Sequence, residues 1–213
     1  MATLTDLYTR IILDTNRDDL GAGGELEQAK IDAVADAIET WADELFWFNR
    51  ASGTVTTVPN IATAALPAGM RSATIVSYLG APLRKVPVEN LERSFDPANI
   101  VKGQPTDWAT YLDDLSFYPT PDAAYALVVY GTADLGVPAT SNAWTVEGYR
   151  LILATAKKIL CRGSLRDPDG LALARDEEQE ALDKLRRETR RRGAAPRAIE
   201  LPVNPPAFNI VTG

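Results

Sequence analysis

Histidine is missing from this 213-residue chain, cysteine occurs once, and long apolar runs are lacking. Without histidine the chain cannot form a Ser-His-Asp triad, a Cys-His dyad or a histidine metal site. The single cysteine, Cys161, excludes an internal disulfide and a cysteine zinc cluster. The longest apolar run is far shorter than the roughly 20 residues of a membrane-spanning helix. We therefore expect no catalytic residues, no metal or other cofactor, and no membrane contact.

Acidic residues outnumber basic ones, with 29 Asp and Glu against 22 Lys and Arg and a formal net charge of −7. The excess is uneven. The first 150 residues contain 10 basic and 20 acidic side chains, and the rest of the chain contains 12 basic and 9 acidic ones. A negative protein is a poor general binder of nucleic acids or anionic membranes, since positive charge holds both. The basic C-terminal part is thus chemically different from the acidic body.

Helical periodicity predicts four helices, at 3–16, 25–50, 145–162 and 169–192. In the second helix, apolar residues recur every three or four positions, which predicts one buried stripe. That stripe comprises Ile31, Val34, Ile38, Trp41, Leu45 and Phe48. The opposite face, which we expect to be solvated or to meet a basic partner, carries Asp32, Asp36, Glu39 and Asp43. The aromatic cluster 46–48 is expected to anchor the core, or less often to form an interface.

The middle of the chain, 52–135, is strand-like. Segments rich in β-branched and aromatic residues alternate with turn residues, which predicts a small, mostly antiparallel β-region inserted into the helical bundle. A hairpin with a tight turn at Asp113-Asp114 is expected between 110–112 and 115–117. A short helix is expected from Val88 to Phe95. The predicted fold class is α+β.

The C-terminal part combines a charged helix with an extended arm. Acid–base pairs at i,i+4 spacing predict that helix 169–192 is exposed and self-supporting. It ends in an arginine run, which comprises Arg186, Arg187, Arg190, Arg191 and Arg192. Four prolines follow Gly193, and they exclude helix and favour an extended arm at 194–213. The chain is therefore predicted to divide into a body, 1–193, and this arm.

The arm is too apolar for a purely solvated linker, since it contains Ile199, Leu201, Val203, Phe208, Ile210 and Val211. An extended apolar chain end buries its side chains by adding to a sheet edge or by lying in a groove. Packing on its own subunit and docking on a partner both remain open, and we favour docking because the charged helix would project the arm away from the body.

The arginine run has two interpretations. It can be a solvated helix end, where cations suit the negative pole of the helix dipole, or a contact to phosphate or to an acidic protein surface. The acidic body favours a protein partner, and a nucleic-acid-binding protein that uses Arg186–Arg192 is the alternative function. A hydrolase is a weaker alternative. Its candidate carboxylates are Asp113-Asp114, in an expected turn, and Asp43-Glu44, on a solvated helix face.

The order of several short motifs resembles the head-to-tail adaptor, or connector, proteins of tailed bacteriophages. The motifs, between residue 4 and about residue 185, are Leu4-Thr5-Asp6-Leu7, Thr15-Asn16-Arg17, Phe46-Trp47-Phe48-Asn49, Gly103-Gln104-Pro105, Leu115-Ser116-Phe117-Tyr118-Pro119-Thr120-Pro121-Asp122, Tyr125-Ala126-Leu127, Asn142 with Trp144, and Leu151-Ile152-Leu153-Ala154. No one motif is diagnostic. Their order carries the resemblance.

The resemblance implies a structural protein of the virion neck that is made in the host cytoplasm. Such adaptors form a homo-oligomeric ring, usually a dodecamer, beneath the portal protein. The ring extends the channel through which genomic DNA passes without specific binding, and a tail or nozzle protein binds its other side. The C-terminal arm commonly reaches the portal. By this resemblance, the arginine run and the arm's apolar residues are expected to contact the portal or a neighbouring subunit.

Overall fold

Helices from both ends of the chain and strands from its middle build the two hydrophobic cores of the part that the structure describes. The computed structural model describes residues 2–21, 23–95, 100–112 and 114–193. The elements are α1 (Leu4–Thr15), a 3-10 helix (Asp18–Gly21), α2 (Glu25–Trp41), β1 (Arg50–Thr56), β2 (Thr63–Ala65), β3 (Met70–Tyr78), β4 (Ala81–Pro82), β5 (Arg84–Lys85), α3 (Val88–Ser94), β6 (Asp107–Tyr111), β7 (Asp114–Tyr118), β8 (Ala126–Ala133), α4 (Ala143–Val146), α5 (Tyr149–Arg162) and α6 (Pro168–Gly193). The α+β class is confirmed, and the predicted arm lies outside the described residues.

Helix α1 shows how local sequence starts an element. The Thr3 hydroxyl accepts the Asp6 N–H at 3.1 Å, and the Asp6 carboxylate accepts the Thr3 N–H at 2.7 Å. This reciprocal pair satisfies two N–H groups that the helix leaves unbonded. The Thr3 N–H and the Thr3 hydroxyl both donate to the Asp6 carboxylate, and these bonds, led by the one from the backbone, hold the pKa of Asp6 below its usual value. The predicted helix at 3–16 is therefore confirmed.

Helix α2 ends at Trp41, well before the predicted end at position 50. The buried Asn49 side chain explains the difference, because its Oδ1 accepts the Phe46 N–H and its Nδ2 donates to the Glu44 carbonyl, each at 2.8 Å. Such side-chain bonds compete with helical backbone bonds. The turns that follow place Phe46 in the core, where it stacks on Phe48 with ring centroids 5.5 Å apart. The cluster 46–48 thus anchors the core, although it is not helical.

The buried face of α2 also differs from the predicted stripe. Val34 and Ile38 are buried as expected, but Ile31 is 37% exposed. Ala33 and Ala37, which the predicted stripe omits, are buried instead. The buried face of α2 therefore combines these small side chains with the large side chains of Val34 and Ile38.

The predicted helix at 145–162 is two helices. The Asn142 side chain caps α4 by accepting the N–H groups of Trp144 and Thr145 at 2.9 and 3.3 Å. The chain then breaks at Gly148, which lies against Trp144. A β-carbon at position 148 would be 2.9 Å from the indole ring, so glycine allows the close approach that starts α5.

In the described part of the chain, eight strands form two four-stranded sheets that share one core. Sheet A has the order β1-β8-β3-β4 and sheet B the order β2-β7-β6-β5, and β5–β6 is the parallel pair among them. The core residues are Val55, Met70, Ala73, Val76, Trp108, Leu115, Phe117, Leu127 and Val129. The β6–β7 hairpin is confirmed, but Asp114 lies in β7 opposite Tyr111 rather than in the turn. Asp113 lies outside the described residues. The short helix predicted from Val88 is confirmed as α3.

Gly131, in the central strand β8, has the closest neighbour among the described glycines. A β-carbon at this position would lie 1.8 Å from the Ser72 carbonyl oxygen, where β3 shifts register. We expect Gly131→Ala to lower the free energy of unfolding by about 3 kcal/mol, since backbone must move to admit the methyl group. Chemical denaturation measures this loss. Gly103→Ala is the control, because nothing lies within 4 Å of that site. Equal denaturation midpoints for the two variants would contradict the packing at Gly131.

Candidate interaction surface at the end of helix α6

Helix α6 begins at Pro168, one residue before the predicted start, and it packs more closely than expected. The Asp167 carboxylate accepts the N–H groups of Asp169 and Gly170 at 3.2 and 3.1 Å, and Pro168 occupies the first helical position. Ala174, Ala181 and Leu182 are buried, and α6 packs along α5. Much of α6 is exposed, as predicted, but the helix is not self-supporting, because a narrow apolar stripe holds it on the bundle.

Ion pairs strengthen this packing at the middle of α5. The ammonium group of Lys157, nearly buried, lies 3.2 Å from Asp14 of α1 and also contacts the Glu177 carboxylate of α6. Lys158 lies 2.6 Å from Glu178 of α6. Removing one partner of such a pair is costly because it strands the other charge. Helices α1, α5 and α6 are thus fixed to one another.

The C-terminal half of α6 packs on the turns that follow α2. The Arg186 guanidinium binds both carboxylate oxygens of Glu44, at 2.7 and 3.0 Å, which raises the pKa of Arg186. The backbone N–H of Trp47 donates to the Thr189 hydroxyl at 3.3 Å. The Arg192 guanidinium lies 3.5 Å from the centre of the Trp47 ring, in cation–π contact. We call these five residues the α6 latch.

The rest of the arginine run faces outward. Arg191 pairs with Glu188 at 2.7 Å and keeps 74% of its side chain exposed. Arg187 and Arg190 are exposed and have no ion-pair partner among the described residues. We call Arg187, Arg190 and Arg191 the arginine surface. The predicted run thus divides into two arginines that contact Glu44 and Trp47 and three that can meet a partner.

The apolar half of the predicted contact set is not described by the structure. It comprises Leu201, Val203, Phe208, Ile210 and Val211, which lie outside the described residues. No pattern in the sequence indicates that Glu44 and Trp47 hold the end of α6. Glu44 lies 142 residues before Arg186, and Trp47 lies 142 residues before Thr189. The aromatic cluster was the one signal near them.

The acidic face of α2 is exposed, and its C-terminal end also connects the helices to sheet A. Arg71 of β3 binds Glu39 and Asp43, which lowers the pKa of Glu39 chiefly through the hydrogen bonds. Asp32 and Asp36 are exposed farther along the same face. The carboxylates of Asp43 and Glu44 are therefore both occupied by arginines, a structural arrangement rather than a pair poised for hydrolysis.

Other chemistry is equally limited in the part of the chain that is described. Cys161 is buried, and burial raises the pKa of its thiol. Over residues 2–21, 23–95, 100–112 and 114–193, no group of three or more Cys, Asp or Glu side chains is arranged to hold a metal ion. The helices in those same ranges are each too short or too polar to cross a membrane.

A packed body with charged outer faces and an exposed basic helix end is suited to contacts with other macromolecules. The chain belongs to the SU10 adaptor protein family, whose model matches residues 2–200. The resemblance to phage adaptors is thereby confirmed, and the chain is a structural adaptor among the components of the virion. No curated protein matches it.

Proposed function

We propose that this adaptor joins head to tail in the virion neck, after synthesis in the host cytoplasm. Copies of the chain form a ring, a dodecamer, beneath the portal protein, and a tail or nozzle protein binds the other side. The observation that carries the proposal is the family match over residues 2–200. This role needs no catalytic group and no cofactor, and we propose that the chain is not an enzyme.

The portal-facing contact is proposed at the C-terminal end of the body and in the arm. The arginine surface supports it, because exposed guanidinium groups bind carboxylates with two parallel hydrogen bonds. The α6 latch supports it too, since it fixes the helix end from which the arm leaves. In this proposal the body, 1–193, builds the ring and the arm, 194–213, reaches the portal or a neighbouring subunit.

The DNA channel is proposed to be lined by acidic surface. The exposed Asp32 and Asp36 support this, because negative side chains do not hold phosphates and DNA can slide past them. The alternative, a nucleic-acid-binding protein that uses Arg186–Arg192, has less support. Arg186 and Arg192 are engaged by Glu44 and Trp47, which leaves a small patch on an acidic protein.

Incubation of the full chain with the cognate portal protein, followed by electron microscopy, tests the proposed function. We expect a ring of added density at one end of the portal, and little binding of duplex DNA at physiological salt. Undecorated portals at micromolar protein would overturn the adaptor ring. Nanomolar DNA affinity with steep salt dependence would favour the nucleic-acid alternative.

A further inference from the structure

Strand β1 leaves one edge of sheet A open. It pairs with β8 along its whole length, and no strand in the described part of the chain pairs with its other side. The Thr57 N–H donates to the Tyr125 carbonyl at 3.0 Å, and the Ala133 N–H donates to the Asn49 carbonyl at 2.7 Å. Backbone groups alternate sides along a strand, so the odd-numbered residues bond to β8. The even-numbered residues direct their N–H and C=O groups to the open edge, and these are Arg50, Ser52, Thr54 and Thr56.

Beyond Arg50, this edge lacks three of the usual protections against strand addition, namely charge, proline and a bulge. After Arg50, the segment 51–57 contains no charged residue and no proline. Its pairing with β8 runs in continuous register without a bulge. Proteins normally protect a long edge with charge, proline, a bulge or a covering segment, because its free N–H and C=O groups bind other strands. The edge of β1 is therefore suited to receive a strand.

The chain leaves α6 at the start of this edge. Thr189 and Arg192 hold the helix end on Trp47, three residues before β1 begins. A side chain on Gly193, the last residue of α6, would begin 3.1 Å from the Arg50 guanidinium. Gly193 therefore lies beside the Arg50 side chain, and a segment that continued from it along the edge would run parallel to β1.

The first part of the arm has the pattern of a strand with one apolar face. Ile199, Leu201 and Val203 alternate with Glu200, Pro202 and Asn204. Pro202 has no N–H, so a strand tolerates it where its backbone faces away from the neighbouring strand. The three apolar residues occupy odd-numbered positions and the proline an even-numbered one, so in a strand their backbone groups point to opposite sides. If the apolar residues bond to β1, the proline faces outward.

A parallel pairing agrees both with the alternation of apolar residues in the arm and with the position of Gly193 beside Arg50. In a parallel pair, the residues whose backbones bond across the gap have side chains on opposite faces of the sheet. The even-numbered residues of β1 are exposed on the outer face, and Val55 lies on the core face. Arm residues bonded to the edge therefore turn their side chains toward the core. An antiparallel arm could bury the same side chains only by placing Pro202 in a bonding position.

We propose that residues 198–204 add to the open edge of β1 in the same chain as a parallel strand. Ile199, Leu201 and Val203 then extend the core shared by the two sheets, and Pro202 faces solvent. This inference does not rest on the adaptor role. It refines the proposed arm contact, because Leu201 and Val203 serve their own subunit while Phe208, Ile210 and Val211 remain for a partner.

Amide hydrogen exchange followed by NMR on the dilute full chain tests the added strand. We expect the Ser52, Thr54 and Thr56 amides of the unchanged chain to exchange at least tenfold more slowly than the same amides in Leu201→Pro. The substitution removes an N–H that the proposed strand donates to β1. Pro202→Ala is the matched control and should keep the protection, because that position faces outward. The Thr57 amide, bonded to Tyr125, should be equally protected in all three proteins and so report an intact sheet.

Three results would overturn the inference. Equal exchange at the edge amides in the unchanged chain and in Leu201→Pro would show that the arm does not bond there. Loss of protection of the same amides in Pro202→Ala would contradict the proposal that position 202 faces away from β1. Protection that rises with protein concentration would assign the added strand to a second copy of the chain rather than to the same one.

Discussion

Ile38→Asp should abolish folding, whereas Ile31→Asp should fold with nearly unchanged stability. Ile38 is 2% exposed in the helical core and Ile31 is 37% exposed, although both lie on α2 in the apolar spacing of the sequence. An unpaired carboxylate at position 38 costs about 5 kcal/mol or more. That is comparable to the whole stability of an ordinary domain.

Circular dichroism during heating, together with gel filtration, distinguishes the two variants. We expect no cooperative transition for Ile38→Asp, and for Ile31→Asp a midpoint within about 3 °C of the unchanged protein, as for a surface substitution costing up to about 0.5 kcal/mol. A soluble Ile38→Asp protein with an unchanged melting temperature would contradict the assignment of the core face of α2. So would an Ile31→Asp protein that fails to fold.

Reversing two charges of the arginine surface should weaken attachment to the portal by at least about 100-fold. Arg187→Glu with Arg190→Glu removes two exposed guanidinium groups and places carboxylates where the proposed partner surface is acidic. Buried arginine contacts are frequent interface hot spots worth about 2 kcal/mol or more each. A ring multiplies the effect, because every subunit carries the same change.

The matched control is Arg162→Glu with Arg175→Glu, which changes the net charge equally at exposed positions away from the helix end. Counting decorated portals by electron microscopy over a protein titration gives the apparent affinity. The control should decorate portals normally, and both double variants should melt near the unchanged protein. Normal decoration by the Arg187/Arg190 variant, or equal loss in the control, would place the portal contact elsewhere.

The sequence alone determined the features that depend on neighbouring residues. The starts of α1 and α6 each involve groups within a few positions of one another, so local pattern predicts helices close to the observed bounds. Strand period likewise located the β-region. The run of apolar residues in α2 predicted a helix correctly at its beginning, because helical spacing is a local property.

Only the tertiary structure decided where those local patterns end and which face they bury. The Asn49 side chain ends the helical turns before the pattern does, and Phe46 then packs on Trp144, almost a hundred residues later. The contact between Arg186 and Glu44 likewise holds on the body a helix that the charge pattern predicted to be self-supporting. These contacts join residues far apart in the chain. Their strength depends on distance and burial in three dimensions, which spacing along a sequence does not record.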